Sequence, residues 1–314
     1  MVAAQSSATR VTVIAGGVGG ARLAHGLDLA GAEVSVVVNV ADDVELHGLR
    51  ISPDLDTVTY TLAGLADETR GWGVVGETYA VQEAMAGLGE EVWFTLGDRD
   101  LATHLVRTAR LHAGASLSEV TAQLVAALGV RARLLPVSDD RIATLVETPA
   151  GRLGFQEYFV ARRHADDVIG LSYDGIDTAR AAPGVLDAVR EADAVVIAPS
   201  NPFLSVEPVL QVTGVREVVA GAARRVAVSP IVGGHAVKGP AAQILSSLGH
   251  EPSALGVARL YAGLVDLMVI DDRDAHLADA VRELGMDVLV TDTVMGGATG
   301  RERLARTILG HLRD

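Results

Sequence analysis

The sequence predicts a doubly wound α/β fold on a mostly parallel sheet, and three observations carry that prediction. The chain opens with a β-branched run that stops at glycines, "RVTVIAGGVGG" at residues 10–20. A second run, "EVSVVVNV" at 33–40, is near-continuous valine, as expected of a strand covered on both faces. The same strand-and-helix rhythm returns at "ADAVVIAPSNP", "RRVAVSPIVGG", "LVDLMVIDD" and "MDVLVTD". That alternation favours parallel strands joined by right-handed crossovers.

Taken in order, Val11, Val13 and Ile14 make the first strand, and the glycines end it abruptly. "ARLAHGLDLAG" reads as a helix closed by Gly31, and the valine run completes a βαβ unit. Helical patterns follow around Thr57–Ala66 and Glu77–Leu88. "DLATHLVRTARLHAG" and "SLSEVTAQLVAALG" read as a helix pair. The second carries a capping box from Ser116 to Glu119, with Ser118 as a competing cap. From Arg131 to Tyr173 the character changes to short strands, with a hairpin near Pro149–Gly151. The whole reads as one domain over 1–314: a Rossmann-like, doubly wound sheet with a small strand-rich and helical insertion at roughly 100–175, its strand-rich part near 130–175.

Composition narrows the function. With 314 residues and 49% hydrophobic content the chain can bury a large core without staples. It has no cysteine, so disulfides, thiolate metal sites and a covalent Cys nucleophile are excluded. A net charge of −14 disfavours non-specific binding to nucleic acid or anionic lipid. No apolar run reaches the roughly 18 residues of a membrane span, and "MVAAQSSATR" has no signal-peptide core and reads as a frayed terminus. The expectation is a cytoplasmic protein with no membrane or nucleic-acid partner. The chain ends near its last helix, so no fused second enzymatic domain, such as a glutamate ligase, is expected.

The first candidate site is the turn Gly16, Gly17, Gly19 and Gly20. Such a turn lets backbone N–H groups reach a phosphate at a helix N-terminus. It is not a dinucleotide fingerprint, because Arg22 stands where a third glycine belongs, and it is not a P-loop, because no Gly-Lys-Ser/Thr follows. Tight packing alone is the plain alternative. The second is the acidic set Asp42, Asp43, Asp54 and Asp56 after the second strand, at the strand end where open α/β sheets place ligands. Hard carboxylates without His or Cys partners suit Mg²⁺. Asp54 and Asp56 alternate, so only one is expected to face the pocket of Asp42; as the bland reading, Asp56 is the N-cap of a helix from Thr57. Asp98 and Asp100 repeat the theme around Arg99, either as N-caps or as members of the same pocket.

Two later strand ends carry small polar groups: Ser200 and Asn201 between prolines, then Ser229, Gly233 and Lys238. They suit a base, ribose or phosphate, with Lys238 neutralising a phosphate; ordinary turn chemistry uses the same residues. Of nine histidines none has metal spacing, and only His47 and His104, near the acidic motifs, are worth testing. Trp72, in the glycine-flanked "RGWGV", can stack on a flat ligand or cover the edge of the core.

Together "GGVGGARL", "VVNVADD", "ISPDLDTVTYTLAG", "GWGV", "LGDRDLATHLVR", "LLPVSDD", "APSNPFLSVEPVL", "VAVSPIVGG" with "KGPA", and "DTVM" resemble, in order and over nearly the whole chain, the family of the 2-phospho-L-lactate transferases of coenzyme F-420 biosynthesis. The resemblance implies a donor in which lactate or enolpyruvate is linked to guanosine diphosphate. It implies as acceptor the deazaflavin Fo, whose terminal ribityl hydroxyl attacks the distal phosphorus while GMP leaves. By the same resemblance Asp42, Asp54 and Asp56 would hold Mg²⁺ and the acceptor polyol, with Asp54 as general base. Asp98, Asp100 and Trp72 would lie on the acceptor side. Gly16, Gly17, Gly19, Gly20, Ser200, Asn201, Ser229 and Gly233 would cradle the donor, and the protein would be a homodimer. The rival readings are a regulatory nucleotide-sugar-binding protein on a related scaffold, which lacks "SPDLDT" with "LGDRDLATHL", and a nicotinamide-dependent oxidoreductase, against which the missing third glycine counts.

Overall fold

A computed structural model describes residues 8–312; most of the stretch expected to fray, residues 1–7, lies outside them. Seven parallel strands form the central sheet: β1 (Arg10–Ala15), β2 (Glu33–Val38), β3 (Arg133–Pro136), β4 (Ala194–Ile197), β5 (Arg225–Val228), β6 (Leu267–Ile270) and β7 (Asp287–Val290). Their order across the sheet is β7-β6-β5-β4-β1-β2-β3, the doubly wound Rossmann-like arrangement, with its switch point between β1 and β4. β1 pairs with β2 from Arg10↔Glu33 to Ala15↔Val38 and with β4 from Val11↔Ala194 to Ile14↔Ile197. The valines of these strands are buried on both faces, which is why they run without alternation.

Helix α1 (Gly17–Leu29) packs against α2 (Pro53–Leu62) and the C-terminal helix Gly297–His311. Gly26 brings α1 close to the C-terminal helix, and Gly20 brings it close to β1. A Cβ on Gly26 would stand 2.3 Å from the Arg301 carbonyl oxygen, and one on Gly20 would stand 2.6 Å from the Ala15 Cβ. Neither contact leaves room for a side chain.

Several expectations are corrected. "RLLP" (133–136), read as part of the insertion, is β3 at the edge of the central sheet, paired with β2. The separate strands are Ala143–Thr148, Gly151–Gly154 and Gly170–Asp174, an antiparallel sheet whose hairpin turns at Pro149–Ala150. Val146, Leu153, Tyr158 and Val168 give it a small core of its own. Asp56 is not an N-cap: α2 starts at Pro53 after Ser52, since proline suits the first helical position, where no N–H is needed. Of the two readings open for Asp98 and Asp100, that of N-caps to the helix they begin is not the one adopted. α4 (Asp98–His112) follows Gly97, and its free N–H groups at Arg99 and Asp100 donate to the Glu77 carboxylate, each at 2.8 Å. The capping box at the start of α5 (Leu117–Ala127) forms as expected, between Ser116 and Glu119, while Ser118 bonds Asp139 instead. Among the described residues no helix is long and apolar enough to cross a membrane.

Candidate functional site

At the switch point the carboxyl ends of β1 and β4 open into a cleft of about 560 Å³. Its floor is the glycine turn. Gly17 takes a φ of +61°, a region costly for other residues, and so turns its N–H onto Asp54 Oδ1 at 2.7 Å. A Cβ on Gly19 would meet the Pro199 carbonyl oxygen at 2.2 Å, and one on Gly16 would meet Ser205 Cβ at 2.5 Å. These glycines therefore let two strand ends touch. Ser200 locks them: its hydroxyl donates to the Gly16 carbonyl at 2.8 Å and accepts from the Gly16 N–H at 3.4 Å.

The predicted donor residues divide. Gly16, Gly17, Gly19, Ser200, Asn201, Ser229 and Lys238 line the cleft. Gly20 and Gly233 do not: Gly20 seats α1 on β1, and the Gly233 N–H donates to Asp274 at 3.0 Å. Asn201 caps the turn Pro202–Val206 with its Oδ1, leaving its Nδ2 buried without a protein acceptor. The Ser229 hydroxyl closes its own turn with Ile231. Lys238 Nζ donates to the Gly71 carbonyl at 2.6 Å; burial, then the nearby Arg22, lower its pKa. Arg22, noted in the sequence only as the missing third glycine, brings a second cation to the cleft.

Asp42 and Asp54 are 6% and 8% exposed. Asn39, fully buried just beyond β2, donates its amide to Asp54 Oδ2 at 3.0 Å and to the Leu204 carbonyl at 3.3 Å, while its Oδ1 accepts the Ala41 N–H. Burial raises Asp54 to about 6, against the hydrogen bonds from Asn39 and Gly17. Burial, then the charge of Asp54, holds Asp42 well above the usual carboxylate range. Asp43 is pushed up to about 8 by burial, although the Ser52 hydroxyl donates to its Oδ2 at 2.6 Å. One oxygen each of Asp42 and Asp43 is buried without a partner. Buried carboxylates that disfavour their own charge, with unpartnered oxygens, are what a hard divalent cation would satisfy. Of these, Asp42, with its unpartnered oxygen, and Asp54 line the cleft and are the residues that could hold Mg²⁺.

Asp56 also lines the cleft, against the expectation that only one of Asp54 and Asp56 would, but its carboxylate is already engaged. Both of its oxygens accept from the Arg107 guanidinium. Arg107 Nη1 also donates to His104 Nδ1 at 3.2 Å, and His104 Nε2 faces Asp100 Oδ1 at 3.3 Å. The Tyr60 hydroxyl donates to that same oxygen at 2.7 Å. Burial acts to raise Asp100, but His104, Tyr60 and Arg107 together hold it below the usual range. Ligand atoms of Asp56, Asp100 and His104 lie within 4.8 Å of one another. Arg107 already neutralises that trio, and a divalent cation there would meet a buried guanidinium. Asp100, His104 and Arg107 stand at i, i+4 and i+7 on α4, a single stripe that its spacing could have disclosed.

Asp98 is on the other side of α4 and outside the cleft. Its oxygens accept the N–H groups of Ala80 and Val81, capping the short helix α3 (Ala80–Gly87). With Glu77 it forms a reciprocal clasp, which holds the segment carrying Phe94 and Thr95 against the cleft. Trp72 does line the cleft, 44% exposed, and Phe94, Phe155 and Phe159 join it. Phe155 and Phe159 stack at 5.4 Å between centroids. His47 adopts a positive φ of 52° in a turn and is not in the cleft lining.

A family profile described as 2-phospho-L-lactate transferase CofD matches residues 11–308. A phosphoenolpyruvate transferase from Kitasatospora aureofaciens is 43% identical over 311 residues, covering 96% of this chain and 97% of that protein. A 2-phospho-L-lactate transferase from Methanosarcina mazei is 38% identical over 299 residues, covering 95% and 98%. The X-ray structure of a Bacillus halodurans protein superposes with a TM-score of 0.63 over 96% of this chain and 100% of that one, at 17% identity, a likeness of fold. With a profile match over almost its full length and relatives of near-equal length, this chain belongs to the CofD family of 2-phospho-L-lactate transferases.

Proposed function

We propose that the protein transfers a phospholactyl or phosphoenolpyruvyl group from a guanosine diphosphate-linked donor to the terminal ribityl hydroxyl of the deazaflavin Fo. The observation that carries the reading is the pairing, in one cleft, of a glycine turn and two cations with a buried carboxylate pair and an aromatic wall. Turn and cations suit a diphosphate, and the aromatic wall suits a flat tricycle.

In this reading the hydroxyl oxygen bonds to the phosphorus that bears the three-carbon acid. The phosphorus–oxygen bond to GMP breaks, and the hydroxyl proton passes to Asp54. A carboxylate held near 6 is a suitable base at neutral pH. Each Asp54 oxygen accepts one protein hydrogen bond and so keeps a lone pair free. Asn39 and Gly17 fix its orientation, and alignment of this kind supplies much of the rate in phosphoryl-type transfer. Arg22 and Lys238 line the cleft where they would meet the charge developing on the departing GMP phosphate, and the unpartnered Asn201 amide offers a further donor. Mg²⁺ held by Asp42 and Asp54 would neutralise charge on the diphosphate. A homodimer is part of the reading, to be checked by light scattering.

Titrating Fo into the protein with and without Mg²⁺, by deazaflavin fluorescence, tests the acceptor. Supplying each donor in turn and measuring GMP then separates lactyl from enolpyruvyl transfer. No Fo binding in the presence of Mg²⁺ and a guanine nucleotide, with binding of UDP-N-acetylglucosamine instead, would replace this reading by the regulatory one.

A further inference from the structure

We infer that His104 and Arg107 are positioning residues for the polyhydroxyl tail of the acceptor. They act through Asp100, which they hold aimed into the cleft. The inference rests on the proposed transfer reaction and extends it to residues that do not touch phosphorus.

The geometry runs in one direction. Arg107 is 2% exposed and anchored at both ends of its guanidinium by Asp56, and it also donates to the Arg50 carbonyl at 3.3 Å. Because Nη1 donates to His104 Nδ1, that nitrogen is the acceptor, and the ring proton sits on Nε2. Nε2 is buried, makes no hydrogen bond of good geometry, and faces Asp100 Oδ1 at 3.3 Å. The Tyr60 hydroxyl donates to the same oxygen. Burial and the carboxylates of Asp56 and Asp100 raise the Tyr60 phenol, so it stays a donor. The Tyr60 hydrogen bond therefore fixes Oδ1, and the His104 Nε2 facing the same oxygen favours that orientation of the carboxylate. Asp100 Oδ2 is left to accept from a ligand hydroxyl. Asp56, Tyr60, Asp100 and His104 all line the cleft.

A metal site is the competing use of these groups, and the buried guanidinium argues against it. A purely structural ion-pair network is the other. It would have no reason to leave a histidine proton aimed at a cleft-facing carboxylate, and it would not discriminate between ligands.

The test compares two acceptors: Fo, and a deazaflavin carrying methyl in place of the polyhydroxyl tail. Binding is read by fluorescence, with transfer kinetics for Fo. His104→Leu should weaken Fo binding about tenfold, the worth of one charge-assisted hydrogen bond, and leave the methyl analogue unchanged. The KM for Fo should rise more than kcat falls, and His104→Gln, which can accept from Arg107 and donate to Asp100, should recover most of the loss. Tyr60→Phe provides a second variant if His104→Leu does not fold, with the same acceptor selectivity expected. Equal losses for both acceptors, or no loss with Fo, overturn the inference. If the wild-type protein binds neither acceptor, the transfer reading itself fails and this inference falls with it.

Discussion

Asn39 offers the sharpest test of how the carboxylate pair is held. Asn39→Ala removes the amide that donates to Asp54 Oδ2 at 3.0 Å and to the Leu204 carbonyl at 3.3 Å, and the oxygen that accepts the Ala41 N–H at 3.0 Å. The site is fully buried, so water does not readily replace those partners. A neutral hydrogen bond is worth about 1 kcal/mol and one to a charge about 2, giving a loss of about 4 kcal/mol. The pH dependence identifies the cause. Asp54 already titrates at about 6, above its ordinary 3.8; its protonated form therefore favours folding below 3.8, and that contribution is lost as pH rises through 6. Removing a bond that lowers its pKa moves the value higher still. The variant's deficit should thus be smallest at pH 4 and grow towards pH 8. Urea unfolding at the two pH values reads this directly, and the acid limb of the transfer profile should move up. A deficit under about 1 kcal/mol, or one independent of pH, would refute the assignment of Asn39 as the partner that keeps Asp54 ionisable.

Four further outcomes are expected. Mg²⁺ at a hundredfold excess over its Kd should stabilise the protein by about 2.7 kcal/mol. Its effect should be larger at pH 8 than at pH 5, because Asp54, raised to about 6, and Asp42, held well above the usual carboxylate range, must give up their protons to a cation and do so more readily at the higher pH; equal thermal shifts at both pH values would contradict this. Gly19→Ala should impair guanine nucleotide binding at least tenfold by forcing the two turns apart at the Pro199 contact, as calorimetry would show. Trp72→Ala, at a 44% exposed position, should change stability by under about 0.5 kcal/mol yet weaken Fo far more than guanine nucleotide; equal losses would remove the stacking role. Ser116→Ala should cost about 1 kcal/mol from the capping box without altering kcat/KM, since neither Ser116 nor Glu119 lines the cleft.

Local signals make much of this protein legible in its amino-acid order. The run from Val11 to Gly20 writes its own strand, turn and helix start, because β-branched residues and glycines punctuate the backbone without help from elsewhere. The capping box at Ser116 and Glu119 needs only four residues. The crowding of Asp42, Asp43, Asp54 and Asp56 announces charge at a strand end, and all but Asp43 line the cleft. The resemblance carried by "SPDLDT" and "LGDRDLATHL" leads to the family that the relatives bear out.

What the sequence by itself determined was the set of strands and helices and the chemistry gathered at the carboxyl ends. Tertiary structure alone decided which group faces which. Asp98 and Asp100 are two residues apart on a helix, which sets the angle between them but not the roll of the helix that chooses one for the cleft; Asp54 and Asp56 both reach it, and only the fold pairs Asp56 with Arg107. Asp100 was chosen and Asp98 became a cap. Arg133–Pro136 joined the central sheet through pairing with residues nearly a hundred positions away, and strand membership has no local signature. Asn39 and Arg107, which bond cleft carboxylates, and Phe94, Phe155 and Phe159, which join Trp72 in the cleft wall, became functional candidates only through folding, because burial and long-range hydrogen bonds are properties of the assembled core and not of any segment of it.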